Sequence, residues 1–152
     1  MNIPFSPPDI TEEEIEAVAE VMRSGWITTG PKTKELERKM AEFTHTNRGV
    51  CLNSATSCME MALRLFEIGP GDEVIVPAYT YTASASVVCH VGATLRLVDV
   101  EKGTFHIDYA AVESMINENT KAIIPVDLGG VMVDYDRIRA IVESKKSLFR
   151  PS

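Results

Sequence analysis

Four short apolar runs, at 49–53, 73–77, 94–98 and 121–126, set the narrowest limits on how this chain can fold. Each is bounded by Gly, Pro, Asn or Asp, and each reads as a strand buried on both faces rather than one. Between them lie helical stretches at about 56–67, 82–91 and 108–117, with a last one at about 135–146. Asp108 and Asp134 suit helix N-caps, and Gly69 and Gly92 follow helix ends. Strand–helix–strand order repeated in this way implies right-handed crossovers. The expected architecture is α/β, three-layer α-β-α, with a mainly parallel sheet covered by helices.

The first 48 residues have a different texture. Thr11-Glu12-Glu13-Glu14 is a capping box that opens a helix, with Glu14 able to reach back to the cap amide. Ile15, Val18, Ala19 and Met22 then give one apolar face, and Gly25 ends the helix. The loop that follows holds the only tryptophan, Trp26. Pro31 suits the first turn of a second helix, whose apolar face is Leu36, Met40 and Phe43. The chain therefore divides into an amino-terminal helical segment with its loop (1–48) and an alternating α/β part (49–152).

Composition removes several function classes. With 22 acidic against 15 basic residues the net charge is −7, which argues against a nucleic-acid surface. The start of the chain lacks a basic segment followed by an apolar core, and no apolar run approaches the roughly 20 residues of a membrane span. Neither a targeting signal nor a membrane association is expected, and the cytoplasm is the default location. Cys51, Cys58 and Cys89 form no CxxC pair, and His45, His90 and His106 are far apart, so no metal site is expected.

Two turns can carry chemistry. A strand ending at Asn53 and a helix opening near Thr56 leave backbone amides unpaired at the helix start, where an anion such as phosphate is attracted. Ala55 keeps bulk away from the approach, and Ser54, Thr56 and Ser57 add hydroxyls. The plainer alternative is a helix cap, since Ser57-Cys58-Met59-Glu60 is itself a capping box. The second turn, Pro77-Ala78-Tyr79-Thr80-Tyr81-Thr82, also follows a parallel strand, at the sheet edge where open α/β folds bind ligands. An aromatic there can stack on a planar ligand, or simply pack under a loop. Neither GxxxxGK[ST] nor GxGxxG is present, which disfavours conventional nucleotide binding.

Taken together, several ordered segments resemble the DegT/StrS family of pyridoxal-phosphate sugar aminotransferases, which have fold type I. They are Gly25-Trp26-Ile27 with Gly30-Pro31, Asn53-Ser54-Ala55-Thr56, Gly69-Pro70-Gly71-Asp72-Glu73, Tyr79-Thr80-Tyr81-Thr82-Ala83, Val98-Asp99-Val100, Ile107-Asp108 and Ala122-Ile123-Ile124-Pro125-Val126. The resemblance implies that Ala55, Thr56 and Ser57 form a phosphate cup, with the amides of Thr56 and Ser57 on the cofactor phosphate. It implies that Tyr81 stacks on the pyridine ring, and that the loop with Trp26 and Thr28 lines the sugar-nucleotide pocket. It further implies pyridoxal 5'-phosphate as cofactor of the parent enzyme, with residues 1–152 alone not expected to bind it, a nucleotide sugar and an amino donor such as glutamate as substrates, and a homodimer.

The sequence also departs from the family. Asp127 stands where a His is usual, and Ser57 and Cys58 stand where small residues such as Ala are usual. The family's pyridinium-binding Asp and Schiff-base Lys fall at positions later than 152, and none of the lysines at 32, 34, 39, 102, 121, 145 and 146 matches the latter. The expectation is thus an amino-terminal part of a longer aminotransferase, with an incomplete cofactor-binding domain over 49–152 and no catalytic residue of its own. The 49–53 strand is expected to lack its sheet neighbours. Alternatives are a family dehydratase or regulator, or a non-catalytic α/β domain that binds a phosphate ligand.

Overall fold

The computed structural model describes residues 3, 4 and 6–152. Met1, Asn2 and Phe5, part of the segment read above as lacking a targeting signature, lie outside the described residues. Three parallel strands form the sheet: β1 (Glu73–Pro77), β2 (Thr94–Val98) and β3 (Thr120–Ile123), in the order β2-β1-β3. β1 pairs with β2 from Glu73↔Thr94 to Pro77↔Val98, and with β3 through Val74↔Ala122 and Ile75↔Ile123. The sequence places β1 and β2 to the residue. β3 is shorter than the expected 121–126 run, although the Ile124 amide still donates to the Ile75 carbonyl at 2.9 Å.

The strand order explains the layers. The crossover from β1 to β2 runs one way across the sheet, and the crossover from β2 to β3 runs back past β1. With both crossovers of the same hand, their helices must lie on opposite faces. Helices α3 (Ala55–Leu65) and α4 (Thr82–His90) accordingly share one core with Val74 and Val76, built around Leu63, Val87 and Val88. Helices α5 (Tyr109–Met115) and α6 (Tyr135–Ser144) share the other with Ile75, built around Ile107, Val112 and Ile138. Successive β1 side chains alternate between the two cores, and Val74, Ile75 and Val76 are all fully buried. At the amino end of the sheet Glu73 ties the strands together: Oε1 accepts from Arg96 at 3.0 Å and Oε2 from Asn117 at 2.8 Å.

The strand expected at 49–53 does not form, which corrects that reading. Residues 49–53 carry no strand assignment, and Val50 is 75% and Leu52 41% exposed. The amide of Cys51 donates to the Glu37 carboxylate at 2.9 Å instead. An apolar run becomes a strand only beside an edge with free donors and acceptors, and no such edge flanks 49–53 among the described residues. This agrees with the expected lack of neighbours.

The chain divides into two compact units, Met1–Cys51 and Leu52–Ser152. The first holds helices α1 (Glu12–Ser24) and α2 (Pro31–Phe43). Its start signals act as read: Thr11 and Glu14 close a capping box, and Gly25 caps the C-terminus with φ +73°. Pro31 opens α2, and Lys32 bridges back to Glu20 on α1 at 2.9 Å.

Candidate functional site

Helix α3 begins one residue earlier than expected, and this changes its first turn. Ser54 is the N-cap: its Oγ accepts from the Ser57 amide at 3.1 Å and donates to Ser57 Oγ at 3.0 Å. The capping box read at 57–60 does not form. Glu60 is drawn instead to Arg64 and His90. The Ser57 amide, one of two that the resemblance turns toward a phosphate, is therefore engaged inside the turn. Among the described residues the amides of Ala55 and Thr56 carry no hydrogen bond, as the first turn of a helix requires. The site thus offers two unpaired amides, the Thr56 and Ser57 hydroxyls and the positive end of an 11-residue helix.

The second turn follows β1 directly. Its backbone is fixed by the Ala78 amide donating to the Val98 carbonyl at 2.7 Å, and by a Thr80–Ser84 hydroxyl contact at 2.9 Å. Tyr81 is the N-cap of α4 but makes no side-chain capping bond, and the residue is 81% exposed. Helix α3 leads through the 66–72 turn into the amino end of β1, so its own start points toward the carboxyl ends of the strands. Helix α4 starts there too, and the two helices pack side by side through Leu63, Val87, Val88 and Val91. Both turns therefore face the same edge of the sheet, where open α/β folds take ligands.

Two features of that edge were not read from the sequence. Tyr79 stacks on Phe105, with ring centroids 5.2 Å apart, and so ties the turn after β1 to the loop after β2. An aromatic at 105 within the otherwise polar stretch 101–106 was the available signal. Phe105, with His106, Val126, Leu128 and Val131, also lines a cavity of about 220 Å³. The second is the bonding of Asp127, which the sequence marked only as a departure from the family pattern. Its Oδ1 accepts from the Val133 amide and its Oδ2 from the Tyr135 hydroxyl, both at 2.9 Å. Burial first, and the Asp127 carboxylate second, hold the Tyr135 phenol above its usual pKa. Asp127 closes the loop after β3 rather than offering a free carboxylate.

The amine of Lys121 is well buried, but it sits at the amino end of β3, donating to the Glu118 carbonyl at 2.6 Å. That is the far edge of the sheet from both turns. In the first unit, Trp26 Nε1 donates to the Thr29 carbonyl at 3.0 Å, and a Cβ on Gly30 would overlap the indole. Trp26 and Thr28 line an open groove of about 480 Å³ with Ser24, Ile27 and Lys32. Among the described residues no group of three or more His, Cys, Asp or Glu side chains could hold a metal ion. No described helix is long and apolar enough to cross a membrane.

The donor set at α3 fits a phosphate monoester, and the exposed Tyr81 ring fits a planar group beside it. Comparison with known proteins points the same way. The model of the DegT/DnrJ/EryC1/StrS aminotransferase family matches residues 8–149. A Streptococcus pneumoniae protein described as a sugar aminotransferase (Spr1654) superposes in its apo form with a TM-score of 0.96 at 60% identity, over 100% of this chain and 38% of that one. Its PLP form gives 0.96 at 60% identity, over 100% and 39%. DesV of S. venezuelae gives 0.83 at 36% identity, over 89% and 36%. The chain thus spans well under half the length of the solved structures it matches.

Proposed function

This chain belongs to the DegT/DnrJ/EryC1/StrS aminotransferase family, and we propose that it forms the amino-terminal part of a pyridoxal-phosphate enzyme that aminates a keto-sugar nucleotide. The observation that carries the reading is the pair of unpaired amides at Ala55 and Thr56, set at the same sheet edge as the exposed ring of Tyr81. The bound cofactor would supply the electron sink for amino transfer. This chain's own part is to hold it. The amides of Ala55 and Thr56 and the hydroxyls of Thr56 and Ser57 would donate to the phosphate, and the Tyr81 ring would shield the pyridine from water.

Trp26 and Thr28 are assigned to the nucleotide-sugar side, supported by the groove they line in the first unit. Glutamate as amino donor, a homodimeric assembly and a cytoplasmic location complete the proposal. The free thiols of Cys51, Cys58 and Cys89 suit a reducing compartment. No lysine of this chain is assigned a covalent role, so residues 1–152 alone should bind phosphate ligands without turnover.

Titration of the chain with pyridoxal 5'-phosphate, pyridoxal and inorganic phosphate tests this. Phosphate-bearing ligands should bind and pyridoxal should not. Tyr81→Ala should weaken pyridoxal 5'-phosphate by roughly three- to tenfold, the value of one aromatic contact, and leave inorganic phosphate unchanged. Equal binding of pyridoxal and its phosphate would overturn the assignment of the cup.

A further inference from the structure

Helix α3 carries the candidate anion site and packs chiefly against α4. Leu63 is its one buried residue among those described, and residues 52–54 lead into it without joining the sheet. Its apolar contact runs along α4, where Leu63 and the half-buried Met59 meet Val87, Val88 and Val91. Such contact is non-directional. It sets the spacing of two helices but only weakly fixes rotation about, or sliding along, their axes.

One polar cluster adds the missing direction. Glu60 Oε2 lies 2.9 Å from His90 Nδ1 at the end of α4. Glu60 Oε1 accepts from Arg64 Nε at 3.0 Å and from Nη2 at 2.8 Å. Arg64 Nη2 reaches on to the His90 backbone carbonyl at 3.4 Å. Two neighbours one turn apart on α3 thus grip both the side chain and the carbonyl of the last residue of α4. Arg64 first, and His90 second, hold the Glu60 carboxyl below its usual pKa, so the carboxylate is the form that makes these bonds.

We infer that Glu60, Arg64 and His90 form a clamp that sets the rotation of α3 against α4 and so aims the amides of Ala55 and Thr56 at their ligand. These are positioning residues, and the inference rests on the reading of the 54–57 turn as a phosphate cup. The lever is short. Glu60 follows Ala55 by about 1.4 turns, or roughly 7.5 Å of helix, and a helix transmits rotation over that distance as a rigid body. Because Tyr81 is the N-cap of α4, the same clamp also sets its backbone relative to the amides.

Amide NMR spectra of the chain and of Glu60→Gln, His90→Gln, the double variant and His90→Lys test the clamp, with inorganic phosphate as the probe ligand. Each glutamine variant should move the Ala55 and Thr56 resonances, and the double variant should move them no further than either single one. His90→Lys, which puts an ammonium donor opposite Glu60, should return them toward the parent positions. Phosphate affinity should fall roughly two- to fivefold in the glutamine variants, the scale of a solvent-screened ion pair. Arg64→Lys gives the same readout if a glutamine variant fails to fold. Changes confined to residues around 60 and 90, with Ala55 and Thr56 unmoved, would overturn the clamp. If the parent chain binds no phosphate while those amides respond as described, the clamp stands and the cup reading falls.

Discussion

Replacing Ser54 separates the two roles that one turn can play. In Ser54→Ala the Ser57 amide and hydroxyl lose their partner. Ser54 is exposed, so water takes over part of the loss. The cost should be that of an ordinary N-cap, about 1 kcal/mol, or roughly 2–4 °C in melting temperature for a chain of this size. Phosphate affinity should change little, because the Ala55 and Thr56 amides are untouched. Ser54→Asp differs on both counts. A carboxylate caps as well as a hydroxyl, and beside the helix start it adds about 0.3–1 kcal/mol of stability. The same negative charge stands at the helix start that would receive the phosphate. At an exposed site this costs at least ~1 kcal/mol per unit charge, and more against a dianion. Affinity should therefore fall about tenfold or more at low salt and partly recover as salt screens the repulsion. Thermal unfolding by circular dichroism and a phosphate titration give the two numbers. If Ser54→Asp is stabilised yet binds phosphate as tightly as the parent, the anion does not sit at the start of α3 and the turn is only a cap.

Tyr135→Phe reports on the loop after β3. The folded phenol has its pKa above the unfolded value, so its contribution is complete below about pH 10 and is lost as pH rises through the folded value. The variant should cost about 1 kcal/mol at neutral pH and show a flatter decline in urea midpoint above pH 10. An unchanged alkaline slope would refute the role of the Asp127 bond. Gly30→Ala should push the Trp26 indole off the Thr29 carbonyl, since the added methyl overlaps the ring. Its fluorescence should shift to the red with under about 1 kcal/mol lost, because the half-exposed ring can swing away. Unaltered emission would count against that packing.

What the sequence made legible was local. The Thr11–Glu14 box, the left-handed Gly25, Pro31 at the head of α2, and the Asp108 and Asp134 caps depend on neighbours within a few residues, and each holds in the structure. Strands at 73–77 and 94–98 were equally plain as short runs between turn residues, but only β1 is buried on both faces; in the edge strand β2 Leu97 is 53% exposed. The run at 49–53 has the same pattern and no strand, since pairing depends on what lies alongside, which periodicity does not encode. Choosing between the Ser54 and Ser57 caps turned on Glu60, and its bond to His90 spans 30 residues. The Tyr79–Phe105 stack is likewise a meeting of distant segments. At the candidate site the residue types were visible from the sequence. Which amide stays free was not, because that follows from one rotation of a helix start.

The central place of β1 also orders events in time. Its partner in β2 lies roughly 20 residues on, whereas its partner in β3 lies nearly 50 residues on. Closing the longer loop costs about 0.7 kcal/mol more in chain entropy, so the β1–α4–β2 unit is the favoured first contact and β3 docks onto its open side afterwards. The core shared with α3 and α4 can thus begin to condense while the loop after β3 is still unformed. A lesion at Asp127 should then speed unfolding more than it slows folding.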